Sequence, residues 1–187
     1  MRKLINFMHI SLDGFTAGPN GEMNWIKLDD GMFDFVKTMT DEADIGMYGR
    51  VTFELMESYW PTAADLPNAT KHDKEHAEWY NHIPKVVVST TMKENGLKNI
   101  KVINNDLAEN INRLKNQPGK NIAMFGSPGL SHSLIAEGLI DELWLFVNPV
   151  LLGKGSSMFK DANKIIEFKL VESKQYTNVV ALHYEKK

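Results

Sequence analysis

The chain has 187 residues, of which 43% are hydrophobic and 24% charged. That composition can build a core, and it excludes global disorder, a collagen-like repeat and a coiled coil. A net charge of −3 and only three arginines (Arg2, Arg50, Arg113) leave no basic stripe for a phosphate backbone, so no nucleic-acid partner is expected.

There are no cysteines, which removes disulfides, thiolate nucleophiles and zinc–thiolate sites. No apolar run approaches membrane-spanning length. The start, Met1-Arg2-Lys3-Leu4-Ile5, meets His9 and Asp13 before a signal h-region can form. The reading is a cytoplasmic protein without a membrane segment, and one domain over 1–187.

Strand-length apolar runs alternate with helical patterns. Leu4 to Ile10 predicts a first strand, and the Gly-, Pro- and Asn-rich stretch Leu12 to Asn24 a loop. Asp29 to Glu42 predicts an amphipathic helix, with Met32, Phe35, Val36 and Met39 on one face. A strand over Ile45 to Tyr48 leads through Gly49 to a helix over Val51 to Tyr59. A short helix follows around Glu75 to Asn81, then strands over Lys85 to Ser89 and Ile100 to Ile103. Leu107 to Lys115 is a helix and Asn121 to Phe125 a strand. Gly126-Ser127-Pro128-Gly129 then opens a helix over Leu130 to Glu137. Leu143 to Val147 is an apolar strand, and Phe168 to Lys174 and Val179 to Tyr184 form a hairpin turning at Thr177-Asn178. The order predicts an α/β fold: a mostly parallel sheet covered on both faces, with an antiparallel hairpin at an edge.

Two strand-to-helix junctions suit an anion. Gly126-Ser127-Pro128-Gly129 and Gly49-Arg50-Val51-Thr52 each offer glycine backbone and a helix N-terminus, and Ser127 or Ser131 is placed to cap its helix. Two such sites in one parallel sheet match the two phosphates of a dinucleotide. Ser89-Thr90 ends a third strand with two hydroxyls. Gly153-Lys154-Gly155-Ser156-Ser157 is only a fragment of a P-loop, which argues against triphosphate hydrolysis. His72-Asp73-Lys74-Glu75-His76 matches the H-x-x-E-H zinc pattern; it needs a third ligand, with Glu78 and His82 nearby, and a solvated helix is the plainer reading. Asp30, Asp34 and Asp13 are candidate proton donors. Lys27 and Lys37 are the only lysines or arginines between Trp25 and Gly49.

Taken in order, Ser11-Leu12-Asp13-Gly14-Phe15-Thr16-Ala17, Trp25-Ile26, Gly49-Arg50-Val51-Thr52-Phe53-Glu54, Lys85-Val86-Val87-Val88-Ser89, Phe125-Gly126-Ser127-Pro128-Gly129-Leu130, Gly138-Leu139-Ile140-Asp141-Glu142-Leu143 and Pro149-Val150-Leu151-Leu152-Gly153-Lys154-Gly155 resemble the dihydrofolate reductase-like superfamily. The closest branch is the reductase domain of bifunctional riboflavin biosynthesis proteins and its stand-alone bacterial relatives.

The resemblance implies a three-layer α/β/α fold, a homodimer and an NADPH-dependent reductase. It places Thr16 and Ala17 near the nicotinamide, and makes the loop to Trp25 a lid, with Asp13 and Trp25 toward the substrate. Gly49, Val51 and Thr52 would meet the pyrophosphate. Arg50, Ser89 and Thr90 would hold the 2′-phosphate, and Gly126, Ser127, Gly129 and Leu130 the other phosphate and ribose. Counting from Trp25 puts the acid on Asp30; counting back from Gly49 puts it near Phe33 or Asp34. The implied substrate is a pterin- or pyrimidine-type heterocycle or a sugar-linked compound, as in 5-amino-6-(5-phosphoribosylamino)uracil reduction. The alternatives are a zinc-dependent hydrolase through H-x-x-E-H and a non-catalytic NADPH-binding protein.

Overall fold

The computed structural model describes residues 1–93, 99–160 and 165–187. In chain order the elements are β1 (Leu4–Ser11), β2 (Phe15–Ala17), α1 (Asp30–Asp41), β3 (Ala43–Gly49), α2 (Arg50–Glu57), α3 (Trp60–Ala63), α4 (Lys71–His82), β4 (Lys85–Val88), β5 (Ile100–Ile103), α5 (Leu107–Asn116), β6 (Asn121–Phe125), α6 (Pro128–Ala136), β7 (Glu142–Asn148), β8 (Ser156–Ser157), β9 (Phe168–Gln175) and β10 (Val180–Lys186).

Eight strands form one sheet in the order β5-β4-β3-β6-β1-β7-β10-β9, and β2 pairs with β8 in a separate ribbon. Every pairing from β5 to β7 is parallel; β10 runs antiparallel to both β7 and β9. The parallel strands are apolar runs because both of their faces are covered. Helices α5 and α6 pack one face, where Ile111, Leu114, Leu130 and Leu134 meet Leu4, Met8 and Met124. Helix α1 covers the other face of β1 and β7 through Met32, against Phe7, Trp144 and Phe146. Helices α2 and α4 continue that layer over β3 and β4, with Phe53 and Tyr80 on Tyr48 and Val87. Leu134 is fully buried, and truncating such a residue to alanine costs about 2–5 kcal/mol.

The three-layer α/β/α order and the edge hairpin match the expectation. Three local features do not. The loop over Leu12 to Asn24 contains β2, which is pinned by its partner β8 rather than by an apolar pattern of its own. The four-residue helix α3 holds Trp60 and Pro61, where a stop was expected. Helix α4 begins at Lys71 rather than near Glu75, because Thr70 and Asp73 form a reciprocal capping box.

Candidate active site

The carboxyl ends of the parallel strands form one edge. Helices α1 and α4 each run back toward the start of the next strand, so their first turns lie at this same edge. Across it, Val88 ends β4 and Ser89 follows it, Gly49 ends β3, Gly126 follows β6, Ser11 ends β1 and Asn148 ends β7.

Strands β3 and β6 are neighbours, so Gly49 and Gly126 are brought side by side. The Ser127 hydroxyl accepts the Gly49 N–H at 3.0 Å. A side chain at Gly49 would come to 3.5 Å from the Leu130 Cβ, and one at Gly126 to 3.5 Å from the Thr52 Cγ2. Gly126 and Ser127 are both left-handed, with φ of 57° and 63°. Asn6, fully buried in β1, supports this turn from below. Its Nδ2 donates to the Met124 and Gly126 carbonyls, and its Oδ1 accepts from the Ser131 hydroxyl at 2.9 Å.

The first-turn N–H groups of α2 and α6 have no partner within their own helices. Both helix starts therefore direct donors and the positive end of a dipole into one groove. At Gly129 a Cβ would meet open space. The exposed Arg50, first residue of α2, donates from its guanidinium to both oxygens of Glu54 at 2.9 Å. The Ser89 hydroxyl accepts the Thr91 and Met92 N–H groups in a tight turn, and Thr90 is exposed beside it.

Next to this groove stands the β2–β8 ribbon. The Thr16 hydroxyl donates to the Ser156 carbonyl at 3.0 Å. Gly155 has φ +144°, and any side chain there would strike the Ala17 carbonyl. The Asp13 carboxylate accepts the Ser11 hydroxyl at 2.6 Å and the Leu152 and Gly153 N–H groups at 3.1 and 2.7 Å. The Ser11 bond first, then these backbone donors, holds Asp13 below the usual carboxylate range. Asp13 is therefore an ionised clamp between two loops, poorly suited to donating a proton.

Asp29 caps α1. Its carboxylate accepts the Met32 N–H and the Thr177 N–H, both at 2.9 Å, and the Thr177 bond leads in holding its pKa low. Asp30 is exposed at the first position of α1; Asp34, one turn on, lies 3.5 Å from Lys71. The Trp25 indole donates to the Glu22 carbonyl at 2.9 Å, folding the loop before α1 onto itself. Asn148, fully buried, accepts the Lys27 N–H at 2.8 Å and donates to the Phe146 carbonyl at 2.9 Å. Its Nδ2 also lies 3.4 Å from the His9 Nδ1.

Aromatic rings fill the space between α1 and α4. Phe33 stacks on His72 with centroids 4.0 Å apart, and Trp60 lies against His76 at 4.2 Å. His76 touches Phe125, the last residue of β6, at 5.8 Å. Burial, helped by neighbouring His72, pushes His76 down to about 3. Burial likewise lowers His72 and pushes His9 down to about 4. Among the described residues, no group of three or more His, Cys, Asp or Glu side chains is placed to hold a metal ion. The H-x-x-E-H segment thus puts its imidazoles on aromatic faces and its Asp73 into a helix cap, with no third ligand beside them.

The sequence matches the RibD C-terminal domain family over residues 2–182. The chain belongs to the RibD C-terminal domain family. It is 34% identical over 181 residues to the uncharacterized protein YyaP of Bacillus subtilis (strain 168), covering 96% of this chain and 92% of that protein. A Shewanella sp. PV-4 protein named for riboflavin biosynthesis superposes with a TM-score of 0.75 at 24% identity, covering 99% of each chain. A Thermotoga maritima diaminohydroxyphosphoribosylaminopyrimidine deaminase/5-amino-6-(5-phosphoribosylamino)uracil reductase gives a TM-score of 0.69 at 14% identity, over 100% of this chain and 57% of that one. The fold is the dihydrofolate reductase-like fold of RibD reductase domains.

In this RibD C-terminal domain, Gly49, Thr52, Gly126, Ser127 and Leu130 come together where β3 and β6 end, Val51 is exposed, a side chain at Gly129 would meet open space, and Thr16 and Ala17 stand in the β2–β8 ribbon. One expectation is corrected. Ser127 occupies the cap position of α6 but makes no side-chain cap bond, because its hydroxyl is turned to Gly49. His9, Asn148 and Asn6 have no motif in the sequence; their roles arise from pairings across the sheet.

Proposed function

We propose that this chain is an NADPH-dependent reductase that passes hydride to a pterin- or pyrimidine-type heterocycle. The observation that carries the reading is the shared groove at Gly49 and Gly126, where the starts of α2 and α6 open onto one edge. Its backbone donors and its room at Gly129 suit a dinucleotide pyrophosphate. When bound, NADPH supplies the hydride. The protein's part is to hold the phosphates, orient the nicotinamide beside Thr16 and Ala17, and exclude water under the lid.

Arg50, Ser89 and Thr90 are proposed to hold the 2′-phosphate, with Arg50 turning from Glu54 to do so. Asp30 is the proposed route of proton delivery, directly or through water. Asp34 is already paired with Lys71, and Asp13 is committed to its clamp. The whole of 1–187 is proposed to act as one domain, in a cytoplasmic homodimer. The exposed Leu170 and Val171 on edge strand β9 support a second copy there.

The test is a fluorescence titration of NADPH and NADH against wild type and Arg50→Ala, followed by loss of NADPH absorbance with pterins and pyrimidines. A clear NADPH preference, eroded in Arg50→Ala, is expected. Equal weak binding of both cofactors would sink the proposal. NADPH binding without oxidation on any such substrate would favour a non-catalytic binder.

A further inference from the structure

Resting on the reductase reading, we propose that the second substrate is a planar heterocycle carrying no phosphate, laid against the aromatic wall between α1 and α4 and hydrogen-bonded by His9.

The wall is continuous. The Phe33 and His72 rings stack 14° from parallel across the two helices. Trp60 meets His72 edge-on at 5.6 Å, His76 lies beside both, and Phe125 carries the surface to the floor at β6. Phe33, Trp60 and His72 are each only half-buried, which leaves aromatic surface for a flat ligand to pack on.

The charge around that wall disfavours a phosphate. Asp30, Asp34 and Glu75 lie in the first two turns of α1 and α4. Lys71 lies 3.5 Å from Asp34 and 3.9 Å from Glu75, so its charge is already balanced twice. Lys37 is bound to Asp41 at the far end of α1. Lys74 sits two positions from His72 on α4, on another side of the helix. Among the described residues of α1, α4 and the loop before α1, that leaves Lys27, a single ammonium on a flexible stem, with no guanidinium fork to grip a phosphate. The Thermotoga protein's name includes a phosphoribosylamino-uracil reductase; this wall offers no matching seat for the phosphate.

His9 supplies direction. Asn148 uses its Oδ1 on the Lys27 N–H, so its Nδ2 is the donor toward the His9 Nδ1. The imidazole proton then belongs on Nε2. The ring lies on Phe146 at 4.9 Å and stays partly exposed. It shares its strand face with Phe7, one step nearer the edge. His9 therefore presents a neutral N–H donor that suits a ring nitrogen or carbonyl of a heterocycle.

The NADPH-loaded enzyme is titrated with 5-amino-6-ribosylaminouracil and with its 5′-phosphate, following tryptophan fluorescence. The unphosphorylated compound is expected to bind about ten-fold more tightly. Tighter binding of the phosphate, or no quenching by either compound or by dihydropterin, overturns the proposal. His9→Leu should raise the KM for the unphosphorylated substrate about ten-fold with NADPH affinity unchanged, and His9→Gln should recover most of the loss. An unaltered KM in His9→Leu removes His9 from the site. NADPH titration without a second substrate is read separately, so failure of the reductase reading is distinguished from failure of this one.

Discussion

The Ser127 Oγ accepts the Gly49 N–H at 3.0 Å, and this one bond joins two strand-to-helix junctions 78 positions apart in sequence. The hydroxyl also lies 3.3 Å from the Phe125 carbonyl, to which it donates. Ser127 thereby fixes the spacing between the starts of α2 and α6.

Removing that hydroxyl strands a backbone donor. Ser127→Ala should destabilise the fold by about 1–3 kcal/mol, the cost of a buried N–H left without a partner. Ser127→Gly should cost less, because glycine relieves the left-handed backbone that Ala would keep. Thermal melts of both variants check this; equal stability of Ser127→Ala and wild type would refute it.

Gly129 separates folding from binding. A methyl group there meets no protein atom within 4 Å, and alanine is the better helix former. Gly129→Ala should melt at or slightly above the wild-type temperature yet bind NADPH at least ten-fold more weakly, because the methyl enters the proposed phosphate space. Unchanged affinity by fluorescence titration would move the phosphates elsewhere.

The Arg50–Glu54 pair predicts opposite effects from its two partners. A charged hydrogen bond is worth about 1.5–3 kcal/mol, so Arg50→Ala should lower NADPH affinity by roughly one to two decades while leaving NADH binding nearly unchanged. Glu54→Gln weakens the competing contact and should tighten NADPH binding a few-fold. Titration of both cofactors against both variants reads the two effects.

Acid sensitivity should trace to His76. Its folded pKa lies near 3, against about 6.5 when unfolded. Above pH 6.5 both states are neutral and His76 contributes no pH dependence. As pH falls, the unfolded chain takes a proton that the fold refuses, so stability drops by up to about 1.4 kcal/mol per pH unit. His9 acts in the same direction. Asp13 and Asp29, whose pKa values are depressed, lose their contribution only below about pH 4. Melting temperature measured between pH 6.5 and 4.5 should fall in wild type and fall less steeply in His76→Gln.

The sheet was legible because strands buried on both faces are largely apolar runs, unbroken over Leu143 to Val147 in β7 and interrupted by Asn6 and His9 in β1. The two strand-to-helix junctions at Gly49 and Gly126 were legible because glycine followed by a helix start is a local signal. Strands β2 and β8 were not, since three and two residues carry no periodicity and are fixed by each other. The early start of α4 lay in the Thr70–Asp73 spacing, a capping signature visible in the sequence. His9 could not be found that way, since its partners Phe146 and Asn148 lie more than 130 positions away and meet it only once β1 and β7 align.

Asn148 also anchors the far end of the loop that follows β2. On one side Ala17 is stitched to Ser156, and on the other the Lys27 amide is locked to the sheet by donating to the Asn148 side-chain Oδ1. Residues 18–26 therefore form an arch with both feet nailed down. Any movement of that arch must come from its crown, and shortening the span by deletion would tighten it without loosening either foot.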